Sequence, residues 1–175
     1  MSDVCRFGEI EVRRVIEWAG PIQTVDAILP DTPAQVWRDH DSWLAPDFHN
    51  PAGNAYRAAI QTWVLQAGRH TILVDTGVGN DRDRPQVPLF DHLHTGFLHR
   101  LGAAGINPAE VDLVINTHIH YDHVGWNTTL VNGTFVPAFP NARYLVPERD
   151  HTYYGEHWFV DYGKSLTCND AIYRV

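Results

Sequence analysis

The sequence contains little cysteine, few basic side chains and no long hydrophobic run. Its two cysteines, Cys5 and Cys168, lie far apart and form no Cys-x-x-Cys pair, so they indicate neither a disulfide framework nor a thiolate metal site. Lysine and arginine total 13 against 21 acidic residues, which argues against a nucleic-acid partner. The sequence shows neither a secretory leader nor a stretch of membrane-spanning length, so we expect a cytoplasmic protein with no membrane partner.

What is present is the composition of a globular protein. With 175 residues and 44% hydrophobic side chains, residues 1–175 have the size of a single domain. Strand-like and helix-like segments alternate along the chain, which predicts a layered α/β fold. The predicted strands are Ile10–Trp18, Ala59–Leu65, Thr71–Asp75, Val111–Ile115 and Ala142–Val146, with a hairpin turn at Asn132-Gly133. The predicted helices are one capped by Thr32, one over Phe90–Ala104, and one that begins at Pro147; between them, Asp81–Pro88 is expected to be a surface loop.

Three imidazoles and a carboxylate follow the strand Val111–Ile115 within six residues, at His118, His120, Asp122 and His123. In an extended chain the side chains of His118 and His120 leave the backbone on the same side and can converge on one cation. Asp122 and His123 lie where the chain turns, and they can reach a second cation beside the first. A lone histidine or aspartate after a strand is most often a packing or turn residue, but four such residues in this pattern predict a metal site.

The ligand atoms of these four residues indicate which metals the site would bind. Imidazole nitrogen and carboxylate oxygen suit Zn, Fe or Mn, and the absence of thiolate argues against a Cys-type structural zinc site. Asp75 ends an earlier strand and precedes Gly77. It is either a turn residue or an outer partner of the metal ligands, since ligating imidazoles usually donate their second N–H to a carboxylate or carbonyl.

The other clusters of polar residues have simpler explanations. Asp39-His40-Asp41 falls in a predicted helix, where consecutive side chains point in different directions and do not converge on one ion. His92, His94 and His99 fall in the predicted helix Phe90–Ala104, which its apolar stripe explains, so we assign them no chemistry. Tyr121 and Trp126, next to the ligand cluster, are expected to pack in the core.

The spacing His-x-His-x-Asp-His resembles the signature of the metallo-β-lactamase superfamily, and the resemblance includes Asp75-Thr76-Gly77 and Gly125-Trp126-Asn127. Within that superfamily the chain looks most like the hydrolase branch that contains N-acyl-homoserine lactonases and methyl parathion hydrolase. The resemblance implies an αββα sandwich, of which this chain would form the N-terminal half to two-thirds.

The resemblance also implies a dinuclear zinc hydrolase, with His118 and His120 on the first ion, Asp122 and His123 on the second, and Asp75 in the outer shell. Two such ions lower the pKa of a shared water, so that it attacks as hydroxide, and they polarise a carbonyl or phosphoryl oxygen. Asp122 is the candidate catalytic residue, which orients the nucleophile and passes a proton to the leaving group. The expected substrate is a small-molecule lactone, ester or phosphotriester.

The sequence departs from the family after the motif. The second half of the complete fold supplies a further His for the first metal, an Asp that bridges both, and a final His, and this sequence ends at Val175 before those positions. His151 and His157 come too early to replace the missing His. We therefore expect weak or no activity of the isolated chain, and an exposed sheet face that favours a homodimer or a complementing C-terminal half.

Three other functions remain open at this stage. The chain could be a non-catalytic truncated or split fragment that binds metal weakly or needs a partner chain. A glyoxalase-type thiolesterase lies within the hydrolase interpretation. A diiron redox site is disfavoured, because such branches of the superfamily commonly carry Glu at the position of His120.

Overall fold

In a computed structural model, which describes residues 4–153 and 172–174, strands alternate with short helices along the chain. The strands are β1 (Val4–Phe7), β2 (Ile10–Thr24), β3 (His49–Asn50), β4 (Ala55–Ala67), β5 (His70–Val74), β6 (Leu113–Ile115), β7 (Thr128–Val131), β8 (Thr134–Pro137), β9 (Arg143–Val146) and β10 (Ile172–Arg174). The α-helices are α1 (Val25–Ile28), α2 (Ala34–Leu44), α3 (Phe97–Ala103) and α4 (Tyr121–Val124), followed by a helical segment over residues 148–153. Single 3-10 turns lie at Pro51–Gly53, Pro88–Phe90, Pro108–Glu110 and Gly125–Asn127.

The chain divides into two compact units, one of residues 1–17 and 60–175 and one of residues 18–59. The smaller unit contains α1, α2, β3 and parts of β2 and β4. Within it β3 pairs antiparallel with β4, with His49 opposite Tyr56. The Asp41 carboxylate lies 2.6 Å from Nδ1 of His49, which is buried.

The metal motif, by which we mean His118–His123, belongs to the larger unit and follows β6. Eight strands of the described part form one sheet, ordered β1-β2-β4-β5-β6-β9-β10, with β3 beside β4. β4 and β5 form an antiparallel hairpin, whereas β5, β6 and β9 run parallel. In this register Val74 pairs with Ile115, and Ile115 pairs with Leu145. The segments that follow these three strands therefore leave the sheet at the same edge.

The core of this unit lies between the parallel strands and α3. Leu73 of β5 and Val114 of β6 are fully buried, and they belong to one cluster with Phe97 and Leu101 of α3. Trp126, which follows the metal motif, joins the same cluster, with its ring 5.4 Å from that of Phe97. The expectation that Trp126 packs in the core is confirmed.

Most predicted strands and the layered α/β class are confirmed. The Asn132-Gly133 hairpin is also confirmed, since both residues have positive φ, 50° and 81°, as a two-residue turn between twisted strands requires. Asn107 caps the 3-10 turn Pro108–Glu110 by accepting a hydrogen bond from the Ala109 amide. β2 continues beyond the predicted end at Trp18 to Thr24, and α2 is capped by Pro33 rather than Thr32.

The helix predicted over Phe90–Ala104 is wrong in its first half. α3 covers only Phe97–Ala103, because the preceding residues bond to another loop instead: the His92 amide donates to the Arg82 carbonyl at 2.8 Å, and His92 has φ 47°. His92 and His94 therefore lie in a loop, while His99 is on the helix. The Asp81–Pro88 segment is a loop, but Arg82 and Arg84 within it are buried rather than on the surface.

Two of the residues discussed from sequence, His157 and Cys168, lie outside the described residues. Among the helices of residues 4–153, none is both long and apolar enough to cross a membrane.

A comparison of two leucines tests the position of the core. Leu73 has 0% of its surface exposed and Leu130 of β7 has 39%. We expect Leu73→Ala to lower the free energy of unfolding by roughly 2–5 kcal/mol, because it leaves a cavity in the sheet. Leu130→Ala should cost less than about 1 kcal/mol. Urea unfolding of both variants measures this, and equal losses would contradict the assignment of the core.

Candidate metal centre

The carboxyl ends of β5, β6 and β9 bring three loops to one edge of the sheet, where parallel α/β sheets commonly bind ligands. Asp75 is the first residue after β5, and its φ of 55° turns the chain sharply there. The metal motif begins three residues after β6, and Asp150 follows β9 in the helical segment. The edge therefore collects the polar residues of all three loops.

The imidazoles of His118, His120 and His123 lie close together. Nε2 of His118 lies 3.1 Å from Nδ1 of His120, and the ring centroids of His118 and His123 are 3.9 Å apart. Two nitrogens bound to one tetrahedral zinc at about 2.05 Å each would be roughly 3.3 Å apart. The spacing of the His118 and His120 nitrogens thus fits two ligands of one ion. These residues lie in a loop beyond β6 rather than on the strand itself, and Ile119 between them is buried.

His123 lies between two carboxylates. Its Nδ1 is 2.9 Å from Oδ2 of Asp75, and its Nε2 is 3.4 Å from Oδ2 of Asp122. Asp75 also accepts hydrogen bonds from the amide and the hydroxyl of Thr117, both at 2.8 Å. The Asp75 carboxylate therefore connects the loop after β6 to the helix α4, which carries Asp122 and His123.

The charges of these groups are set by their neighbours. Burial lowers the pKa of the His123 imidazole, but Asp122 and Asp75 outweigh burial and raise it to about 9. Burial raises the pKa of the Asp75 and Asp122 carboxyls, but their hydrogen bonds with His123 hold both below the ordinary value. Burial, followed by the charges of His123 and His120, lowers the pKa of His118. Near neutral pH, the His118 imidazole is therefore uncharged and has a nitrogen lone pair available for a metal. His123, in contrast, is a cation between two carboxylate anions.

Buried amides fix the backbone of the motif. The carbonyl of His123 accepts hydrogen bonds from the Thr76 amide at 2.7 Å and from the Asn116 side chain at 3.0 Å. Asn127 joins both partners, because it accepts from the Thr76 hydroxyl and donates to Asn116. At the other end, the Ile119 amide donates to the Asp150 carboxylate at 3.0 Å.

The loop after β5 and the residues after α4 are in direct backbone contact. The amides of Gly125 and Trp126 donate to the carbonyls of Gly77 and Thr76, at 2.7 and 2.9 Å. A Cβ on Gly125 would overlap the carbonyl of Val78, so only glycine allows this approach. This contact places α4 against the loop that contains Asp75.

Sequence reasoning missed the buried carboxylate that supports this contact. Glu17 is 4% exposed and accepts hydrogen bonds from the Val78 amide at 2.6 Å and from Nε1 of Trp126 at 2.6 Å. Burial raises the pKa of Glu17, and these hydrogen bonds oppose the rise. The available signal was its place on β2, two residues after the buried Val15 and hence on the same face of the strand.

Sequence reasoning also assigned no chemistry to His92, which the structure brings near two carboxylates. One ligand atom from each of Asp83, Asp91 and His92 lies within 4.8 Å of the others, so the three could hold a metal ion. Asp83 and His92 are exposed. An open groove of about 670 Å³ is lined in part by Ile115, His118 and Leu145.

Two glycines test the contact behind α4. Gly125→Ala should lower the free energy of unfolding by roughly 1–3 kcal/mol, because its methyl group must displace Val78. Gly102→Ala in α3 meets nothing within 4 Å and should raise stability by roughly 0.5–1 kcal/mol, since alanine favours a helix. Thermal and urea unfolding measure both. An unchanged stability of Gly125→Ala would show that the two loops do not approach this closely.

The raised pKa of His123 predicts a pH dependence of stability for the chain stripped of metal by EDTA. Protonated His123 stabilises the folded state below its unfolded pKa near 6.5, and this stabilisation is lost as the pH rises through about 9. We expect a loss of roughly 1–2 kcal/mol over that window, less than the full shift implies because His123 is partly exposed. Asp75→Asn should reduce this slope.

The matched control is Asp39→Asn, which alters an exposed carboxylate whose hydrogen-bond partner, the Gln35 amide, does not titrate. We expect it to change stability by the same amount at every pH in the window. If Asp75→Asn and the wild-type chain lost stability in parallel between pH 6.5 and 9.5, Asp75 would not hold the proton on His123.

Comparisons with known proteins identify the family of the chain. The family model of the metallo-beta-lactamase superfamily matches residues 56–165. The N-acyl homoserine lactonase AttM of Azorhizobium caulinodans is 33% identical over 69 residues, which cover 39% of this chain and 23% of that protein.

Solved structures share the fold at low sequence identity. A probable metal-dependent hydrolase from Staphylococcus aureus superposes with a TM-score of 0.74 and 15% identity, over 98% of this chain and 60% of that one. The dizinc quorum-quenching lactonase AidC gives a TM-score of 0.65 and 21% identity, over 86% of this chain and 46% of that one. The matched part of the chain thus spans less than two thirds of each of these relatives. With the family model covering residues from β4 to beyond β9, the chain belongs to the metallo-beta-lactamase superfamily.

Proposed function

We propose that the chain contributes the motif-bearing part of a metal-dependent hydrolase. The observation that carries the proposal is the continuous set of donors at one sheet edge: the facing nitrogens of His118 and His120 beside the Asp75–His123–Asp122 chain. Imidazole and carboxylate are the donors that zinc, iron and manganese accept in proteins. The residues present therefore fit a divalent ion.

In this proposal His118 and His120 hold one ion, and Asp122 and His123 hold a second. Zinc is the favoured metal, because AidC is described as a dizinc lactonase. Asp75 would not bind metal: it accepts a hydrogen bond from Nδ1 of His123, which leaves Nε2, beside Asp122, as the nitrogen that would bind the ion. Bound divalent ions would supply two effects, a lowered pKa of water and polarisation of a carbonyl or phosphoryl oxygen.

The protein side chains orient and move protons. The lowered pKa of Asp122 keeps its carboxylate ionised near neutral pH, so it can accept a proton from the attacking water and return it to the leaving oxygen. His123 must lose its second proton before it binds an ion, and its two carboxylate neighbours compete with the ion for that charge. Metal affinity should therefore increase with pH.

The proposed substrate is a small-molecule lactone, with esters and phosphotriesters as alternatives. The lactone is favoured by the AttM and AidC relatives, whose names describe lactonases. Catalytic zinc sites usually have three protein ligands and an open position, and His118 and His120 provide two of them for the first ion. We propose that a third comes from another segment or from a second copy of the chain.

A second candidate function has its own support, since the matched part of the chain spans 46% of AidC and 60% of the Staphylococcus aureus hydrolase. It is a metal-binding fragment that has no turnover unless a partner segment completes the centre. The two candidates differ in activity but share the same ligands, so one set of variants tests both.

The decisive measurement is metal content per chain after zinc loading and gel filtration, with the apparent size from the same column. We expect zinc to bind, and His118→Ala or His120→Ala to weaken binding by at least the factor of about 10–100 that loss of an outer-shell partner costs. His99→Ala removes an exposed histidine of α3 and should have no effect. Zinc binding that survives both motif variants would refute the ligand assignment. Turnover of a lactone by zinc-loaded chain would then favour the hydrolase over the fragment.

A further inference from the structure

Arg82 places a charged side chain in the interior directly behind the metal motif. Arg82 is 4% exposed, so its guanidinium does not extend into solvent. Instead a single nitrogen, Nη2, donates to the carbonyl of Gly125 at 2.6 Å, to the carbonyl of Thr128 at 2.8 Å and to the hydroxyl of Thr128 at 2.7 Å. The guanidinium carbon lies 3.8 Å from the centre of the Phe135 ring.

These contacts join two elements that flank the motif. Gly125 directly follows α4, and Thr128 begins β7 of the β7–β8 hairpin, which also contains Phe135. The Gly125 carbonyl lies where α4 meets the 3-10 turn Gly125–Asn127. Arg82 gives this carbonyl a side-chain donor and connects the same point to the hairpin.

α4 depends on such outside contacts for its position. A helix of four residues is too short to be stable by itself, so its place is set by what its ends are bonded to. The His123 carbonyl is held by Thr76 and Asn116, on the side of β5 and β6. The Gly125 carbonyl is held by Arg82, on the side of the hairpin. Asp122 and His123 lie on the turn that these contacts fix.

The burial of the Arg82 guanidinium lowers the stability of the fold. Burial, and then repulsion from Arg84, lower the pKa of Arg82 to about 10, and both its Nε and its Nη1 are buried without a hydrogen-bond partner. A well-packed apolar side chain avoids such costs, so stability alone does not explain a cation at this point. What an apolar side chain cannot supply is the bond to the Gly125 carbonyl.

We propose that Arg82 is a positioning residue for the metal centre: by binding the Gly125 and Thr128 carbonyls, it holds α4 so that Asp122 and His123 face the ion. This inference rests on the proposed function, because the ion is the one assigned to those two residues. Arg82 touches neither ion nor substrate, and its effect passes through the backbone of α4.

The test compares three variants of the full chain. Arg82→Met removes the donors but keeps a long side chain. Arg82→Lys should restore most of the effect, because all three bonds converge on one nitrogen and an ammonium group has three donors. Arg100→Met is the matched control: Arg100 also donates to two backbone carbonyls, those of Ile16 and Glu17, but on β2.

Two readouts are taken on each variant. Cobalt(II) titration, followed by visible absorption, gives the affinity and the ligand geometry of the centre. Hydrogen exchange of the amides of residues 121–127, measured after EDTA treatment, reports how firmly α4 is held. We expect Arg82→Met to weaken cobalt binding at least 10-fold and to alter its spectrum, with Arg82→Lys within about 3-fold of wild type. Arg100→Met should bind cobalt with wild-type affinity, even if its unfolding midpoint falls by as much as that of Arg82→Met.

Each outcome decides the question. Cobalt binding by Arg82→Met equal to that of Arg100→Met would overturn the inference, as would a failure of Arg82→Lys to restore binding. If the wild-type chain bound no cobalt, the proposed function would fail, and amide exchange would decide alone: faster exchange of residues 121–127 in Arg82→Met than in Arg100→Met supports positioning, and equal rates refute it. If Arg82→Met does not fold, Arg82→Leu, which also lacks a donor, replaces it under the same criteria.

Discussion

The candidate centre depends on the parallel pairing of β5, β6 and β9. Their register sets Val74, Ile115 and Leu145 side by side, so the loops that follow leave the sheet together. A slip of one residue in β6 would reverse the face of every side chain on it, and the fully buried Val114 opposes such a slip. The hydrophobic contacts of the sheet thus determine where the imidazoles and carboxylates meet, although none of those polar groups takes part in them.

A second layer of polar contacts refines that placement. Asp75 links Thr117 to His123, and the buried amides of Asn116 and Asn127 hold the His123 carbonyl from behind. Buried polar groups are stabilising only when their partners are in place, so this network favours one arrangement of the loops over others of similar compactness. A site whose own charged residues strongly repel or attract one another needs such rigid support to keep one geometry.

Most of the strands and the spacing of the four candidate ligands could be predicted from the sequence, because the patterns that indicate them are local. The His-x-His-x-Asp-His spacing, the apolar run of β6 and the Asn132-Gly133 turn each lie within a few residues, where periodicity and turn chemistry apply. What was missed depends on distant partners. Glu17 acquires its role from Trp126, Arg82 from Gly125, and the loop around His92 from hydrogen bonds to Arg82, and no local pattern encodes such pairs. The overextended helix prediction from Phe90 has the same cause, because an apolar stripe was present but the backbone found other partners.

The distance along the chain between Asp75 and His123 has a consequence for how the centre forms. These residues are 48 positions apart, and their contact requires the parallel pairing of β5 with β6 across the whole intervening segment. Closing a loop of this length lowers the entropy of the chain before the pairing of β5 with β6 can stabilise it. A short hairpin such as β7–β8, by contrast, forms within microseconds. His118 and His120, two residues apart, can capture an ion in an unfolded chain, but Asp75 cannot assist them there. All four proposed ligands lie within six residues and can come together early, whereas the Asp75 contact that orients His123 would form only once β5 and β6 have paired.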